Sequence, residues 1–374
     1  MVERIMCSCC GCEIDDENEV FYDVNGNVYC EDCYNSETVS CDWCHERFPC
    51  SDDHGDEEMC VCGRCYDNHF YHCTRCGRLV SDNDACWHDD DPYCDDCCPS
   101  DDDYSEYIHD YYYKPKPLFY KRNSEGDVRY YGVELEIDKG GKSDENAEKL
   151  YGIANSDDEV LYIKSDGSLD YGMELVSHPC SLEYHRQNMH WQKLMKKAAE
   201  LGYRSHNTNT CGLHVHIGRA QLGKSYEEQE EVIGRIIFFF ESHWNELVKF
   251  SRRTENSISR WAARYGYKDK PKELLENAKK SSSGRYVCVN ITNSNTIEIR
   301  MFRGTLNTDT FIAALELVDL VCENAVRLTD EEIHKQSWND FVMTASKDRS
   351  ELITYLKNKR LYVNEPYDSS EEEI

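Results

Sequence analysis

The sequence predicts an α+β domain with a mostly antiparallel sheet and helices on one face, preceded by an N-terminal array of three small cysteine-rich modules. Two observations support this division. Residues 1–110 contain 18 of the 22 Cys and hold 30 Asp/Glu against 5 Lys/Arg, a charge of −25 within a total of −30. From residue 128 onward, alternating apolar segments and helical segments follow one another in irregular order. The acidic N-terminal third also argues against nucleic acid as the main partner, because phosphate binding needs a basic face.

The cysteines of the N-terminal segment form three copies of one motif, CxxC followed by seventeen residues and a second CxxC, spaced 32 residues apart. Two such turns supply four thiolates to tetrahedral Zn²⁺, and the spacing resembles a LIM-type zinc ribbon. A disulfide framework is the alternative, which the lack of an apolar leader at residues 1–5 disfavours. We expect about three structural zinc ions per chain, bound by Cys9, Cys12, Cys30 and Cys33, by Cys41, Cys44, Cys62 and Cys65, and by Cys73, Cys76, Cys94 and Cys97.

Some cysteines of this segment fall outside the repeat: Cys7, Cys10, Cys50, Cys60, Cys86 and Cys98. Cys7 and Cys10 form a competing CxxC, so the register of the first zinc site stays open. A zinc ion with four cysteine ligands has no position left for substrate. The modules therefore predict binding of a protein partner rather than chemistry.

The predicted domain boundaries follow these changes in composition. They are residues 1–100 for the zinc ribbons (about 9–33, 41–65 and 73–97), 101–127 for an acidic, Tyr- and Pro-rich linker, 128–330 for the second domain, and 331–374 for a helical extension with an acidic tail. The longest apolar run, 236–240, is far shorter than the roughly 18–20 residues that span a bilayer. We therefore expect an intracellular, cytoplasmic protein with no membrane partner.

The second domain is predicted to contain six strands and seven helices. Strands are expected at 129–138, 160–164, 173–177, 213–218, 286–291 and 296–302. Helices are expected at 145–154, 182–201, 226–250, 272–280 and 310–328, with two short ones after residue 336.

Strands of this domain carry an unusual set of polar residues. Side chains alternate along a strand, so one face of each segment is apolar and the other is functional. If the strands are neighbours, one sheet face gathers the polar residues Glu134, Glu136, Glu174, His214, His216, Glu298 and Arg300. Such a cluster repels itself unless cations occupy it, and its oxygen and imidazole donors suit Mg²⁺ or Mn²⁺. Arg300 and Arg303 add positive donors for a phosphate, so the set predicts phosphoryl transfer.

Four motifs then resemble the amidoligase family, which is related to glutamine synthetase and γ-glutamylcysteine ligase. They are YGVELE at 131–136, SDGSL at 165–169 with ELVSHP at 174–179, CGLHVHIG at 211–218, and EIRMFRGTLN at 298–307. The resemblance covers about residues 128–328. It implies a glutamine synthetase-like fold, ATP and Mg²⁺ or Mn²⁺ as cofactors, and joining of a carboxylate to an amine through an acyl phosphate.

The resemblance also implies roles for individual residues. Metal ligands would be Glu134, Glu136, Glu174, His214 and Glu298, with His216 nearer the nucleotide phosphates. Arg300 would steady the transferring phosphoryl group, and Arg303 would be a second anion donor. The residues expected to take part in catalysis are therefore Glu136, His216, Arg300 and Arg303.

Two other functions use the same residues differently. A metal-dependent hydrolase would activate water with the Glu/His cluster and would turn over without ATP. A non-catalytic protein would act through its zinc ribbons alone. The carboxylate and amine substrates (amino acid, peptide or protein), the partner of the zinc ribbons and the oligomeric state all stay open at this stage.

Overall fold

The computed structural model describes residues 5–14, 20–56, 58–88, 91–98, 105–281 and 284–362. The chain divides into two compact units. The first consists of Met1–Tyr104 with Asp110–Tyr112, and the second of Ser105–His109 with Tyr113–Ile374. The acidic tail predicted within 331–374, and the acidic start of the predicted linker, lie outside the described residues.

The first unit is a series of short antiparallel hairpins, as expected of the cysteine repeats. Its paired strands are β1 (Ile5–Met6) with β2 (Glu13–Ile14), β3 (Phe21–Tyr22) with β4 (Val28–Tyr29), β5 (Thr38–Ser40) with β6 (Arg47–Pro49), β7 (Phe70–His72) with β8 (Leu79–Ser81), and β9 (Cys86–His88) with β10 (Asp91–Tyr93). Two short helices, α1 (Glu31–Glu37) and α2 (Gly63–His69), were not predicted. Each begins directly after the first cysteine of the repeat's second CxxC.

Hydrogen bonds donated by backbone amides join consecutive repeats of this unit. The amide of Val24 donates to the carbonyl of Arg47 at 2.8 Å, and the amide of Leu79 donates to Asp56 Oδ2 at 2.8 Å. Val24 and Asp56 lie 32 residues apart, as do Arg47 and Leu79, so the junction repeats with the cysteines.

The second unit is built on one sheet of eight strands. In chain order they are β11 (Ile108–His109), β12 (Tyr130–Ile137), β13 (Leu161–Lys164), β14 (Met173–Ser177), β15 (Cys180–Ser181), β16 (Gly212–Gly218), β17 (Val289–Asn290) and β18 (Thr296–Arg303). The spatial order is β11-β13-β14-β12-β16-β18-β17, with β15 paired to β12. Every pairing except β11 with β13 is antiparallel, which confirms the predicted mostly antiparallel sheet.

Eleven helices are described in this unit. They are α3 (Asp144–Ala154), α4 (Leu182–Gln187), α5 (Trp191–Glu200), α6 (Tyr226–Ser242), α7 (Trp244–Ser251), α8 (Glu255–Trp261), α9 (Pro271–Lys279), α10 (Thr308–Arg327), α11 (Asp330–Lys335), α12 (Trp338–Met343) and α13 (Ser350–Asn358). No helix among the described residues has both the length and the apolar character needed to cross a bilayer.

Two predicted helices are each divided into two in the structure. The segment 182–201 forms two helices, and 226–250 is interrupted at His243, whose backbone dihedral angles are not helical. Two helices, α8 and α11, were missed although Thr254 and Thr329 cap their first turns. The predicted strand at 286–291 shortens to Val289–Asn290.

The apolar face of the sheet packs against these helices and fixes the strand register. Side chains from the three central strands are essentially fully buried in one core with those of α6 and α10; they are Val133, Leu135, Ile137, Leu213, Val215, Ile217, Ile297, Ile299 and Met301. Burying each such side chain contributes about 1.5–3 kcal/mol. A slip of one residue would move a whole strand's set out of the core, so the opposite, polar face is determined equally firmly.

Candidate active site and metal centres

In two of the three repeats, the structure brings together the predicted thiols. Ligand atoms of Cys41, Cys44, Cys62 and Cys65 lie within 4.8 Å of one another, and so do those of the third repeat, Cys73, Cys76, Cys94 and Cys97. Four thiol groups at this separation are the donor set that a tetrahedral Zn²⁺ requires. Both quartets can therefore hold a structural zinc ion.

The first repeat departs from the predicted quartet. The group gathered there is Cys7, Cys10, Cys12 and Cys30, so Cys7 and Cys10 stand where Cys9 and Cys33 were expected. Cys33 remains beside the group, since contacts with the Cys10 and Cys30 thiols raise its pKa.

Backbone geometry gives the reason for this shift. The amides of Gly11, His45 and Gly77 donate to the carbonyls of Cys7, Cys41 and Cys73, and all three donors have positive φ. The first CxxC turn of the chain therefore begins at Cys7, and the competing motif noted in the sequence is the one that folds like the others.

The first thiol of each such turn shares one electrostatic property. Burial opposes ionisation of Cys7, Cys41 and Cys73, but backbone N–H groups of both CxxC turns outweigh it. Their pKa values are lowered to about 6, about 7 and about 7. Thiolates bind metal, so these positions are prepared for ligation near neutral pH.

Two cysteines outside the repeat pattern, Cys86 on β9 and Cys98, place their sulfur atoms next to each other. Neither is among the predicted zinc ligands, so the quartets stay intact.

The register of the central strands assembles the second group of predicted residues. Glu136 pairs with Glu174 across β12 and β14, and Glu134 pairs with His214 across β12 and β16. His216 pairs in turn with Glu298 on β18. Five strands of one sheet face thus contribute, because β17 adds Asn290 opposite Glu298.

His214 lies at the centre of this face. Its Nδ1 is 3.2 Å from Glu134 Oε2 and 3.5 Å from Glu298 Oε1, and its Nε2 is 3.8 Å from Glu136 Oε1. His216 Nε2 lies 3.2 Å from the other oxygen of Glu134. One imidazole is therefore surrounded by three carboxylates, and the second shares a carboxylate with it.

On β18, Arg300 is paired with Glu298 and fixes the orientation of its carboxylate. Arg300 Nη1 donates to Glu298 Oε1 at 2.5 Å, and Asn290 Nδ2 donates to Glu298 Oε2 at 2.9 Å. Arg300 is 9% exposed, and its Nε is buried without a hydrogen-bond partner among the described residues. A buried donor of this kind can bind an anionic ligand oxygen.

The carboxylates differ in their protonation. Burial and the charge of Glu134 raise the pKa of Glu174 well above its usual value, and burial likewise raises that of Glu136. For Glu134 and Glu298, the neighbouring imidazoles outweigh burial and lower the pKa. Without a cation, this face can keep only part of its carboxylates ionised.

A divalent cation fits this donor set. Ligand atoms of Glu134, Glu174 and His214, and of Glu134, His216 and Glu298, lie within 4.8 Å of one another. Both groups combine carboxylate oxygen with imidazole nitrogen, which suits Mg²⁺ or Mn²⁺. They share Glu134, whose two oxygens face different partners. Two adjacent cation positions bridged by one carboxylate are consistent with these distances.

The sequence of this unit matches a known protein family. Residues 135–321, half of the chain, match the family described as "Putative amidoligase enzyme". The chain belongs to this family.

A solved structure similar to this chain is a bifunctional glutathione synthetase from Pasteurella multocida. The two are 12% identical with a TM-score of 0.31, and the match covers 64% of this chain and 45% of that one. This chain therefore spans less than half of that chain's length. No curated protein matches its sequence.

Three residues of the amidoligase site were missed in the sequence. Lys164 on β13 pairs with Glu174 and places Nζ 3.6 Å from its Oε2, and Asn290 binds Glu298. Arg253 follows α7 and reaches the sheet beside Gly212 and His214. Lys164 ends a predicted strand and could have been found by alternation, whereas Arg253 lies in a segment without any recognisable motif.

Proposed function

We propose that this amidoligase uses ATP and Mg²⁺ or Mn²⁺ to join a carboxylate to an amine through an acyl phosphate, on a sheet of glutamine synthetase-like arrangement. The observation that carries the proposal is the convergence of Glu134, His214, Glu298 and Arg300 on one buried face. Family membership supports amide-bond formation, and the donor set supports a bound divalent ion with a phosphate beside it.

Each part of the site has a role in this reaction. A bound divalent ion would supply neutralisation of the triphosphate charge. Glu134, Glu174, His214 and Glu298 would fix its position, with Glu136 beside them. Arg300, anchored by Glu298, would direct its free donor at the transferring phosphoryl oxygens.

The chemistry needs two successive displacements. A carboxylate oxygen of the substrate attacks the γ-phosphorus of ATP, and the bond to ADP breaks. The amine then attacks the acyl carbon, loses a proton, and releases inorganic phosphate that retains the substrate oxygen. His216, which shares Glu134 with His214, would stabilise the phosphate oxygens.

The zinc ribbons have a separate proposed role. Residues 1–110 carry a charge of −25, and Trp43 and Trp87 expose 45% and 51% of their surface. Acidic surface with exposed aromatic rings suits a basic protein or peptide. We propose that the ribbons recruit such a partner, which bears one of the two reacting groups.

The test follows an oxygen atom. The full chain is incubated with ATP, Mg²⁺ or Mn²⁺, and amino acids or peptides whose carboxylates carry heavy oxygen. We expect ADP, a condensed product, and inorganic phosphate containing one labelled oxygen. Glu298→Gln should abolish turnover. Glu323→Gln, which changes a half-exposed carboxylate paired with Arg349, should leave it intact.

Two results would contradict the proposal. Unlabelled phosphate would exclude the acyl phosphate. Turnover of peptides without ATP would assign the same residues to a hydrolase. If no condition gives turnover and Glu298→Gln still functions fully in a partner-binding assay, the protein would act through its zinc ribbons alone.

A further inference from the structure

A cluster of arginines lies at one end of the site. Arg252 and Arg253 directly follow α7, and Arg303 ends β18, where it pairs with Gly212 of β16. Arg253 is 9% exposed, and its Nε donates to the carbonyl of Phe302 at 3.1 Å. Its guanidinium lies over Gly212, where any side chain would overlap it. Arg253 therefore occupies the sheet face next to the carboxylates and imidazoles.

A backbone contact positions Arg303, and a histidine contact positions Arg252. Arg303 Nη1 lies 3.4 Å from the carbonyl oxygen of Arg252, and Arg252 Nη1 lies 3.0 Å from His206 Nδ1. Arg252 has φ +63°, a strained conformation for a residue with a side chain. Burial, together with the charges of Arg300 and Arg303, lowers the pKa of Arg253 to about 10.

These arginines differ from other arginines of the unit, which are paired with carboxylates. Arg129 and Arg349 each lie within 2.8 Å of Asp319, and Arg264 lies 2.8 Å from Glu241. In the part of the chain that the structure describes, no carboxylate oxygen lies within 4.0 Å of a side-chain nitrogen of Arg252, Arg253 or Arg303.

The carboxylate that most affects Arg253 is Glu136, which already accepts a hydrogen bond from the Gly212 amide. Arg253 is buried and Arg252 and Arg303 are half-buried, and grouped positive charges of this kind favour binding of an anion from outside the chain.

We propose that Arg253, Arg303 and Arg252 form a pocket for a non-reacting carboxylate of the substrate, which is therefore an amino acid or peptide with a free carboxylate besides its reacting group. This inference rests on the proposed function. Gly212 and His216 are four residues apart on β16, a distance of about 13 Å along a strand. Arg303, which pairs with Gly212, therefore lies at the other end of β16 from the His216–Glu298 row. A planar carboxylate matches the forked donors of arginine.

A nucleotide phosphate offers similar oxygens, so the experiment must separate the two sources. The full chain with Mn²⁺ is titrated calorimetrically with succinate as the carboxylate probe and, separately, with a non-hydrolysable ATP analogue. We expect Arg253→Met to weaken succinate binding about 10- to 100-fold, the usual loss for charged hydrogen bonds. Affinity for the ATP analogue should stay within about twofold, well below the tenfold step of 1.4 kcal/mol.

Arg122→Met is the matched control. It removes a half-exposed arginine that lies 3.6 Å from Glu183, and it should change neither affinity. If Arg253→Met fails to fold, as judged by circular dichroism, Arg252→Met is used in its place because Arg252 is less buried.

Three outcomes would overturn the pocket: no succinate binding to the unaltered chain, unchanged succinate binding in the variants, or a larger loss for the ATP analogue than for succinate. Failure of the unaltered chain to bind the ATP analogue would instead overturn the proposed function. The succinate measurement would still stand in that case.

Discussion

Gly212 and Gly132 lie on adjacent strands of the site. The space for a side chain is crowded at Gly212 and open at Gly132, so the two glycines form a matched pair. A Cβ at position 212 would lie 2.8 Å from His214 Nε2 and would overlap the end of Arg253. A Cβ at position 132 would lie 3.5 Å from His216 Cβ, an ordinary van der Waals distance. Alanine should therefore disturb the site at 212 and leave it unchanged at 132.

The size of the disturbance follows from these distances. Arg253 ends in a flexible side chain and can move aside, but the His214 ring is held between Glu134 and Glu298. Restoring an ordinary contact of 3.4 Å requires His214 Nε2 to shift by about 0.6 Å. Metal–ligand bonds tolerate roughly 0.2 Å. We expect Gly212→Ala to weaken Mn²⁺ binding about 10- to 100-fold, as other disturbances of ligand orientation do.

Free Mn²⁺ is measured by electron paramagnetic resonance during titration of each variant. Thermal unfolding followed by circular dichroism controls for a loss of folding, and the two variants should melt within a few degrees of each other. Equal Mn²⁺ affinities for Gly212→Ala and Gly132→Ala would refute the assignment of His214 as a metal ligand.

Further predictions concern the zinc ions and two buried carboxylates. Elemental analysis should find about three zinc per chain, and chelation should expose residues 5–98 to proteolysis while a fragment containing 105–362 resists it. Mn²⁺ binding should release protons and tighten as pH rises, because Glu174 has a raised pKa and must ionise to bind; calorimetry in buffers of different ionisation enthalpy would show no proton release if this is incorrect. Burial raises the pKa of Glu316 from 4.5 to about 8. Folding then favours the protonated carboxyl group, so the free energy of unfolding falls as pH rises between these values. Glutamine cannot ionise, so in urea titrations Glu316→Gln should be more stable relative to the unaltered chain at pH 8.5 than at pH 5.5. The same difference at both pH values would contradict this.

Much of the site was predictable because it depends on strand alternation. Glu134 and Glu136 alternate with Val133, Leu135 and Ile137, so the sequence alone shows which side chains share a face. The apolar side supplies the packing energy and thereby determines the polar side. The neighbour order of the strands does not follow from alternation, and only the resemblance to a family supported it beforehand.

The register of the first zinc site was not predictable from spacing. The repeat of 32 residues favours Cys9 and Cys12, but the turn geometry requires a residue with positive φ directly after the second cysteine. Gly11 meets this requirement after Cys10, without strain. Glycine after the second cysteine recurs at Gly77, so this signal was present in the sequence and outweighs the exact spacing.

The position of Arg303 shows what alternation cannot predict. Glu298 and Arg300 occupy even positions of β18, and strict alternation would place Phe302 on the polar face and Arg303 in the core. The pairing instead shifts between Val215 with Ile299 and Leu213 with Phe302, where β18 contains one extra residue.

This β-bulge turns the remainder of the strand over, so that Phe302 enters the core and Arg303 faces Gly212. Two successive residues of β18, Arg300 and Met301, then lie opposite His214 alone. The bulge thereby allows one strand to bring Arg300 beside Glu298 and a second arginine, Arg303, beside Gly212. A regular strand with the same residues would have buried the second charge among apolar side chains, at a cost that no partner in that core could offset.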